Sequence, residues 1–120
     1  MWRQEPLTPY IEKLKDTTDI TAWYQNAMMI GEFGTDATNA IPNLLAALNP
    51  TNNPVIQAHA LIALGMIHSQ PEECVPAIMP FLRSPNVGLR QKAVYALPQF
   101  RGAARPAWAE LELSLQDSDP

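Results

Sequence analysis

At 120 residues and 13.3 kDa, the chain suits a single domain with one continuous core and leaves little room for multi-domain machinery. Charged residues make up 17% of it against a usual share of about 25%, and its 12 prolines are roughly twice the average usage, so the proline load needs a structural explanation. The net charge of -4 and pI of about 5.0 argue against general nucleic-acid binding, because phosphate neutralisation supplies most non-specific affinity.

In chain order, apolar residues recur at spacings of three and four, the period of a helix with one buried face, and no stretch alternates as a strand would. Seven helices are expected, at roughly 8–15, 19–33, 36–48, 53–67, 70–83, 85–100 and 103–116. Thr8-Pro9, Asn53-Pro54 and Ser84-Pro85 each put an N-cap residue before a proline at the first helical position, where its missing N–H costs nothing. Asp19 is a further start, and Ser69 with Glu72 has capping-box spacing. Gly34 and Gly102 stand just past patterned segments, as C-terminal caps do. Pro42, Pro76 and Pro106 fall near helix starts, Pro80 should distort its helix, and Pro98 should kink or shorten its own.

Two patterns repeat. Ala40 to Leu48 overlays Cys74 to Leu82 at an offset of 34 with the proline in register. Ala60 to Ile67 overlays Ala93 to Phe100 at an offset of 33 and Asn26 to Phe33 at an offset of 34. Each repeat is therefore a helix pair, and stacked pairs bury a core only between neighbours. The repeats run roughly 7–34, 35–68 and 69–101, with a partial unit at 102–120.

With these blocks in place the chain resembles the HEAT-repeat family in its short bacterial form. The resemblance rests on Ala-Ile-Pro-x-Leu-Leu at 40–45, Val-Pro-Ala-Ile at 75–78, Leu-Arg-x-x-Ala-x-x-Ala-Leu at 89–97 and Gly-Glu-Phe-Gly at 31–34. It implies an all-α, right-handed α-α superhelix, with the second helices lining a concave face that binds another protein. One departure stands out: the arginine typical of the second helix survives only as Arg90, with Gln57 and Trp23 at the equivalent places. A regular Arg to Asp ladder is therefore not expected, although Arg90 could meet Asp117. The ending, Gln116 to Pro120, looks like the turn before another second helix, so the last helix is a cap or the chain is part of a longer array. Apolar surface around Trp108, Leu111 and Leu115 would then favour self-association.

Catalytic hardware is sparse. His59, His68 and Cys74 match no zinc spacing, and neither histidine precedes a glutamate as the iron hydroxylases of similar repeats require, so no metal or cofactor is expected. There is no phosphate loop, nucleophile elbow or dinucleotide fingerprint. The acidic pairs Glu72 with Glu73 and Glu110 with Glu112 read as solvated helix faces rather than acid and base. A lone cysteine and the lack of a signal peptide or a long apolar run make a soluble, cytoplasmic protein the default expectation.

At the slots where such repeats often expose a glutamate or lysine, the chain has Met28, Ile62 and Tyr95, and one turn onward Glu32, Met66 and Gln99. With Trp23 and Tyr24 these give the expected partner-binding set: Trp23, Tyr24, Met28, Ile62, Met66 and Tyr95, residue types suited to interface anchors. The competing reading of the same stripe is ordinary packing between repeats. The expected function is a non-catalytic scaffold or adaptor holding a protein partner. The alternative is nucleic-acid binding through Arg83, Arg90, Lys92, Arg101 and Arg105, five cations in a stretch without an acid. A bilin-lyase-like activity, found in proteins of similar repeats, is a more distant third.

Overall fold

The computed structural model describes residues 4–101. Within them the fold is helical, with no strand among the described residues. Six α-helices follow in order: α1 Gln4–Lys13, α2 Ile20–Gly31, α3 Ile41–Ala46, α4 Pro54–Ile67, α5 Pro71–Ile78 and α6 Val87–Ala96. Three 3-10 stretches supplement them: Gly34–Ala40 before α3, Met79–Arg83 after α5, and 97–101 after α6. The expected helix at 103–116, the cap at Gly102, the contact of Arg90 with Asp117 and the apolar patch at Trp108, Leu111 and Leu115 lie outside the described residues.

The second helices α2, α4 and α6 stand side by side with α4 in the middle, and the first helices form the layer behind them. The overall extents of 43 × 31 × 18 Å fit two such layers, since packed helices sit about 8–10 Å apart. The core lies between layers and between repeats: Trp23, Ile30, Ile41, Leu44, Leu61, Leu64, Ile78 and Leu97 are all fully or almost fully buried. Glycines set the spacing of the second layer. A Cβ on Gly65 would come 2.9 Å from the Cα of Ala96, so α6 can approach α4 only across a bare backbone.

The turn from first to second helix is built the same way three times. An acceptor opens it: Asp16 Oδ1 takes the Thr18 amide, Asn49 Oδ1 the Thr51 amide, and Ser84 Oγ the Asn86 amide. An N-cap follows, with Asp19 accepting from Ala22 N, Asn53 from Val55 N and Asn86 from Leu89 N. Four residues after each cap a side-chain N–H reaches back to a carbonyl of the turn. Trp23 Nε1 donates to Leu14 O at 2.8 Å, Gln57 Nε2 to Asn49 O at 2.8 Å and Arg90 Nη1 to Ser84 O at 2.9 Å. The substituted arginine slot thus keeps its donor in each repeat.

Several expected starts move. Helix α1 begins at Gln4, so Pro9 sits inside it rather than at its first position. Pro9 is exposed there, where water can take the carbonyl bond its ring cannot close. Ser84-Pro85 is not the cap of α6, because Asn86 two residues on outcompetes it. Ser69 and Glu72 form no capping box: Gln70 precedes α5 in a left-handed conformation at φ 50, while Ser69 Oγ accepts a bond from Thr38 Oγ1 at 3.0 Å. The expected helix 36–48 divides at Pro42. This residue has no N–H for the Thr38 carbonyl, and the Ile41 N–H takes that carbonyl one step early, closing a 3-10 turn. Pro80 and Pro98 likewise mark the change from α to 3-10 winding, as anticipated. Asp19 and Asn53-Pro54 stand where the sequence puts them, whereas the C-cap of α2 is Glu32 and the left-handed Gly34 at φ 58 opens the 3-10 stretch that follows.

Candidate functional surface

On α4, residues Ile56, Gln57, Ala60, Leu61, Ala63, Leu64, Gly65 and Ile67 are buried. Apart from Pro54 at its first position, what remains open is one stripe, Val55, Ala58, His59, Ile62 and Met66, at helical spacing. The stripe holds no charged side chain, and no Asp, Glu, Lys or Arg occurs anywhere from 37 to 71. A helix apolar on every side is normally enclosed, yet Val55 is 41% exposed and Ile62 and Met66 are only half-buried.

Neighbouring helices extend the stripe. The Tyr24 ring on α2 stacks on the His59 ring with centroids 4.5 Å apart and planes at 20°. Met66 leans across to α2 over Gly31, where an added Cβ would meet its Sδ at 2.9 Å. On the other side the Tyr95 ring lies over Gly65, where an added Cβ would meet its Cε2 at 3.1 Å. Tyr95 is 40% exposed, and Met28 is half-buried against the core. Polar residues flank this centre: exposed Gln25 and Glu32 on the α2 side, half-buried Lys92 and exposed Gln91 and Gln99 on the α6 side. An apolar centre with a polar rim is the anatomy of a protein interface.

Of the six expected partner-binding residues, Tyr24, Met28, Ile62, Met66 and Tyr95 are at least partly accessible on α2, α4 and α6. Trp23 is not. It is 2% exposed and its indole N–H is spent on Leu14 O, so it belongs to the core. Sequence reasoning also passed over Val55 and weighed His59 only as a metal ligand. Both fall on the stripe that Ile62 defines, seven and three residues upstream of it, and the helical period alone would have found them.

The cations are scattered in role. Arg83 closes the 3-10 stretch after α5, Arg90 holds Ser84 O, Lys92 is half-buried on α6, and Arg101 is exposed in a left-handed conformation at φ 56. Arg105 lies outside the described residues. His68 caps α4 in a left-handed conformation at φ 39. Cys74 is fully buried beside the Ser69 carbonyl, and burial, reinforced by Glu73 and Glu72, pushes its thiol up to about 11. No cluster of three or more His, Cys, Asp or Glu able to hold a metal occurs among the described residues.

Open depressions occur elsewhere. One of about 540 Å³ lies between α1 and α2, lined by Tyr10, Asp16, Asp19, Trp23 and Met29 among others. Its Asp16 carboxyl is held below the usual range by the Thr18 hydroxyl and amide. Another of about 470 Å³ lies at the turns, rimmed by Pro50, Pro80, Phe81 and Pro85. Both acidic groups of the first are already spent on the turn after α1, as Asx-turn acceptor and N-cap.

Paired helices, a repeated turn and a core shared between neighbours define an α-solenoid repeat protein. The family model for HEAT repeats matches residues 8–97 and again 41–120, and the chain belongs to that family. The two matches start 33 residues apart, one internal repeat. No curated protein and no solved structure matches it. HEAT repeats are typically protein-interaction scaffolds and generally non-catalytic. No helix among the described residues is long and apolar enough to cross a membrane.

Proposed function

We propose that the chain is a non-catalytic protein-binding module that holds a partner on the open face of α2, α4 and α6, with Tyr24, His59, Ile62, Met66 and Tyr95 as its contact residues. The observation that carries this reading is the stripe on α4. A surface row of Val, Ala, His, Ile and Met, without charge and partly exposed, gains free energy when covered, at about 25 cal/mol for each Å² of apolar area. Tyr24 and Tyr95 on either side supply rigid amphipathic rings of the kind that dominate interfaces. Polar flanks keep the edges wet.

The basic-patch alternative has less behind it, because Arg90 is committed to the turn before α6 and the net charge of -4 opposes phosphate. The discriminating experiment compares the wild-type chain with Ile62→Glu and Tyr95→Glu. Both variants should keep the helical circular dichroism and lose partner capture, since each puts a charge on the partly open face. Unfolding of Ile62→Glu together with unchanged capture by Tyr95→Glu would count against the surface. Salt-sensitive retention of DNA or RNA on a filter by the wild type would favour the cations instead.

A further inference from the structure

Gln57 brings the copied turn more than the turn uses. Its slot is filled by Trp23 in the first repeat and by Arg90 in the third, and those two side chains are donors only. Gln57 spends Nε2 on Asn49 O, and because that carbonyl accepts, the atom left over is the acceptor Oε1. No hydrogen-bond partner for Oε1 occurs among the described residues. The residue is only 5% exposed, yet no buried side-chain polar atom among the described residues lacks a partner, so Oε1 itself reaches solvent. It does so at the groove of about 470 Å³ beside the turns, which Gln57 lines.

The same groove exists one repeat earlier with different walls. Leu14, Asn43, Ala46 and Ala47 line it there, and Leu48, Ala77, Pro80 and Phe81 line it here, each pair 34 residues apart. The earlier copy also takes in Lys15, Thr17 and Asn52, whereas the later one adds Pro50 and Pro85. Walls that are mostly small or polar between the first two repeats thus become three proline rings and a phenyl ring between the next two, and no charged side chain lines this second groove. Depth differs as well. The earlier groove does not reach Trp23, whose buried indole fills its slot, while the later one has the smaller Gln57 as its floor.

We propose that this groove is a binding site for an indole, carried by a tryptophan of a partner polypeptide, whose ring lies against Phe81 and the prolines and whose N–H donates to Gln57 Oε1. The floor acceptor selects a donor, and an acceptor covered without one is penalised. Proline and phenyl faces select a flat ring. Indole joins such a ring to one N–H and brings no acceptor of its own to leave unsatisfied, as a phenol would. The uncharged lining selects the source: free tryptophan carries an ammonium and a carboxylate that find no counter-charge there, and within a polypeptide both are amides. The first repeat already holds an indole at the matching slot, with its N–H on the Leu14 carbonyl. The groove lies at the turns and shares no residue with the open face of α2, α4 and α6, so the proposal does not rest on the reading of that face.

The test is an NMR titration of the isotope-labelled full chain with N-acetyl-tryptophanamide, a neutral indole. Saturable shifts should appear at the Gln57 side-chain amide and at Phe81, with a Kd of about 1 mM for the isolated residue. The analogue methylated on the indole nitrogen keeps the ring and loses the donor, and should bind about tenfold more weakly. Two substitutions borrow the neighbouring repeats' own side chains. Gln57→Arg keeps a donor for Asn49 O and removes the acceptor, and Phe81→Ala installs the residue found at Ala47; each should weaken binding about tenfold while helical circular dichroism is retained. Should Gln57→Arg fail to fold, the methylated analogue decides the same point on the wild type. Equal affinity for the methylated analogue, or equally tight binding of N-acetyl-leucinamide, would overturn the donor or the ring. Tighter binding of free tryptophan than of the capped amide would overturn the polypeptide source, and no saturable shift at roughly ten times the expected Kd would overturn the site.

Discussion

The two ends of each repeat are built to different standards. The turn from first to second helix is copied three times, with an acceptor, an N-cap and a donor four residues on in each case, although the donors are Trp23, Gln57 and Arg90. The first helices are built three ways: α1 carries Pro9 in its interior, α3 is preceded by a 3-10 stretch and α5 is followed by one. What is preserved is therefore a hydrogen-bonding role, which three unlike side chains can fill. The regular end positions the second helices, and these carry the open face. Irregularity is greatest in the layer behind, and in the second layer it falls at the end of α6, where Pro98 marks the change to 3-10 winding.

Breaking the copied turn should show the largest effect where the donor is also core. Trp23→Ala removes a buried indole and leaves the Leu14 carbonyl without that donor, and should cost about 3–5 kcal/mol in urea unfolding. Gln57→Ala also strips a buried donor and should cost about 1–3 kcal/mol. Arg90→Ala, half-exposed, should cost about 1 kcal/mol. Equal losses at all three would mean that the hydrogen bond alone carries the turn. A Trp23→Phe variant sharpens the point, because it removes the N–H while keeping an aromatic ring in the core.

The glycines of the second layer offer a finer comparison. An added methyl at Gly65 meets the backbone of Ala96, which cannot step aside, so Gly65→Ala should destabilise by about 1–3 kcal/mol despite the better helix propensity of alanine. At Gly31 the nearest atom is the flexible end of Met66, and the propensity gain of about 1 kcal/mol should offset the crowding. Thermal melts of the two variants should therefore separate, with Gly31→Ala close to wild type. Were they to shift together, the close approach of α4 and α6 would not be what Gly65 provides.

Much of this was legible from sequence because helical period and caps are local signals. Asp19 and Asn53 cap the helices assigned to them, and the internal repeat identified the solenoid. Ser84 and Asn86 show where local reading fails: both are good cap residues two apart, and in the fold Ser84 accepts the Asn86 amide in the turn while Asn86 caps α6 through the Leu89 amide. Pro9 misled for a related reason, since its position on the exposed side of a helix is a tertiary fact. Trp23 is the instructive error at the surface. Its residue type suggested an interface anchor, but the turn before α2 needed a donor at that place and the indole supplied one from within the core. Tyr24, one residue on, points to the open side and stacks on His59.

The smallest expected effect concerns Cys74, in the first-helix layer. Its thiol is fully buried and shifted up to about 11, mainly by burial and then by Glu73 and Glu72. The folded value is raised, so the neutral thiol favours the native state fully below the ordinary thiol range. That contribution is lost as the pH rises through the range to about 11, because the unfolded chain ionises first. Stability should accordingly decline between about pH 9 and 11, and Cys74→Ala should flatten this part of the profile while lowering the neutral-pH plateau through lost packing. A thiol reagent should label Cys74 only as fast as the chain opens, and its rate should follow urea in parallel with global unfolding. Rapid labelling under native conditions, with the second-layer helices still folded, would show that α5 opens on its own and that the two layers differ in stability as well as in regularity.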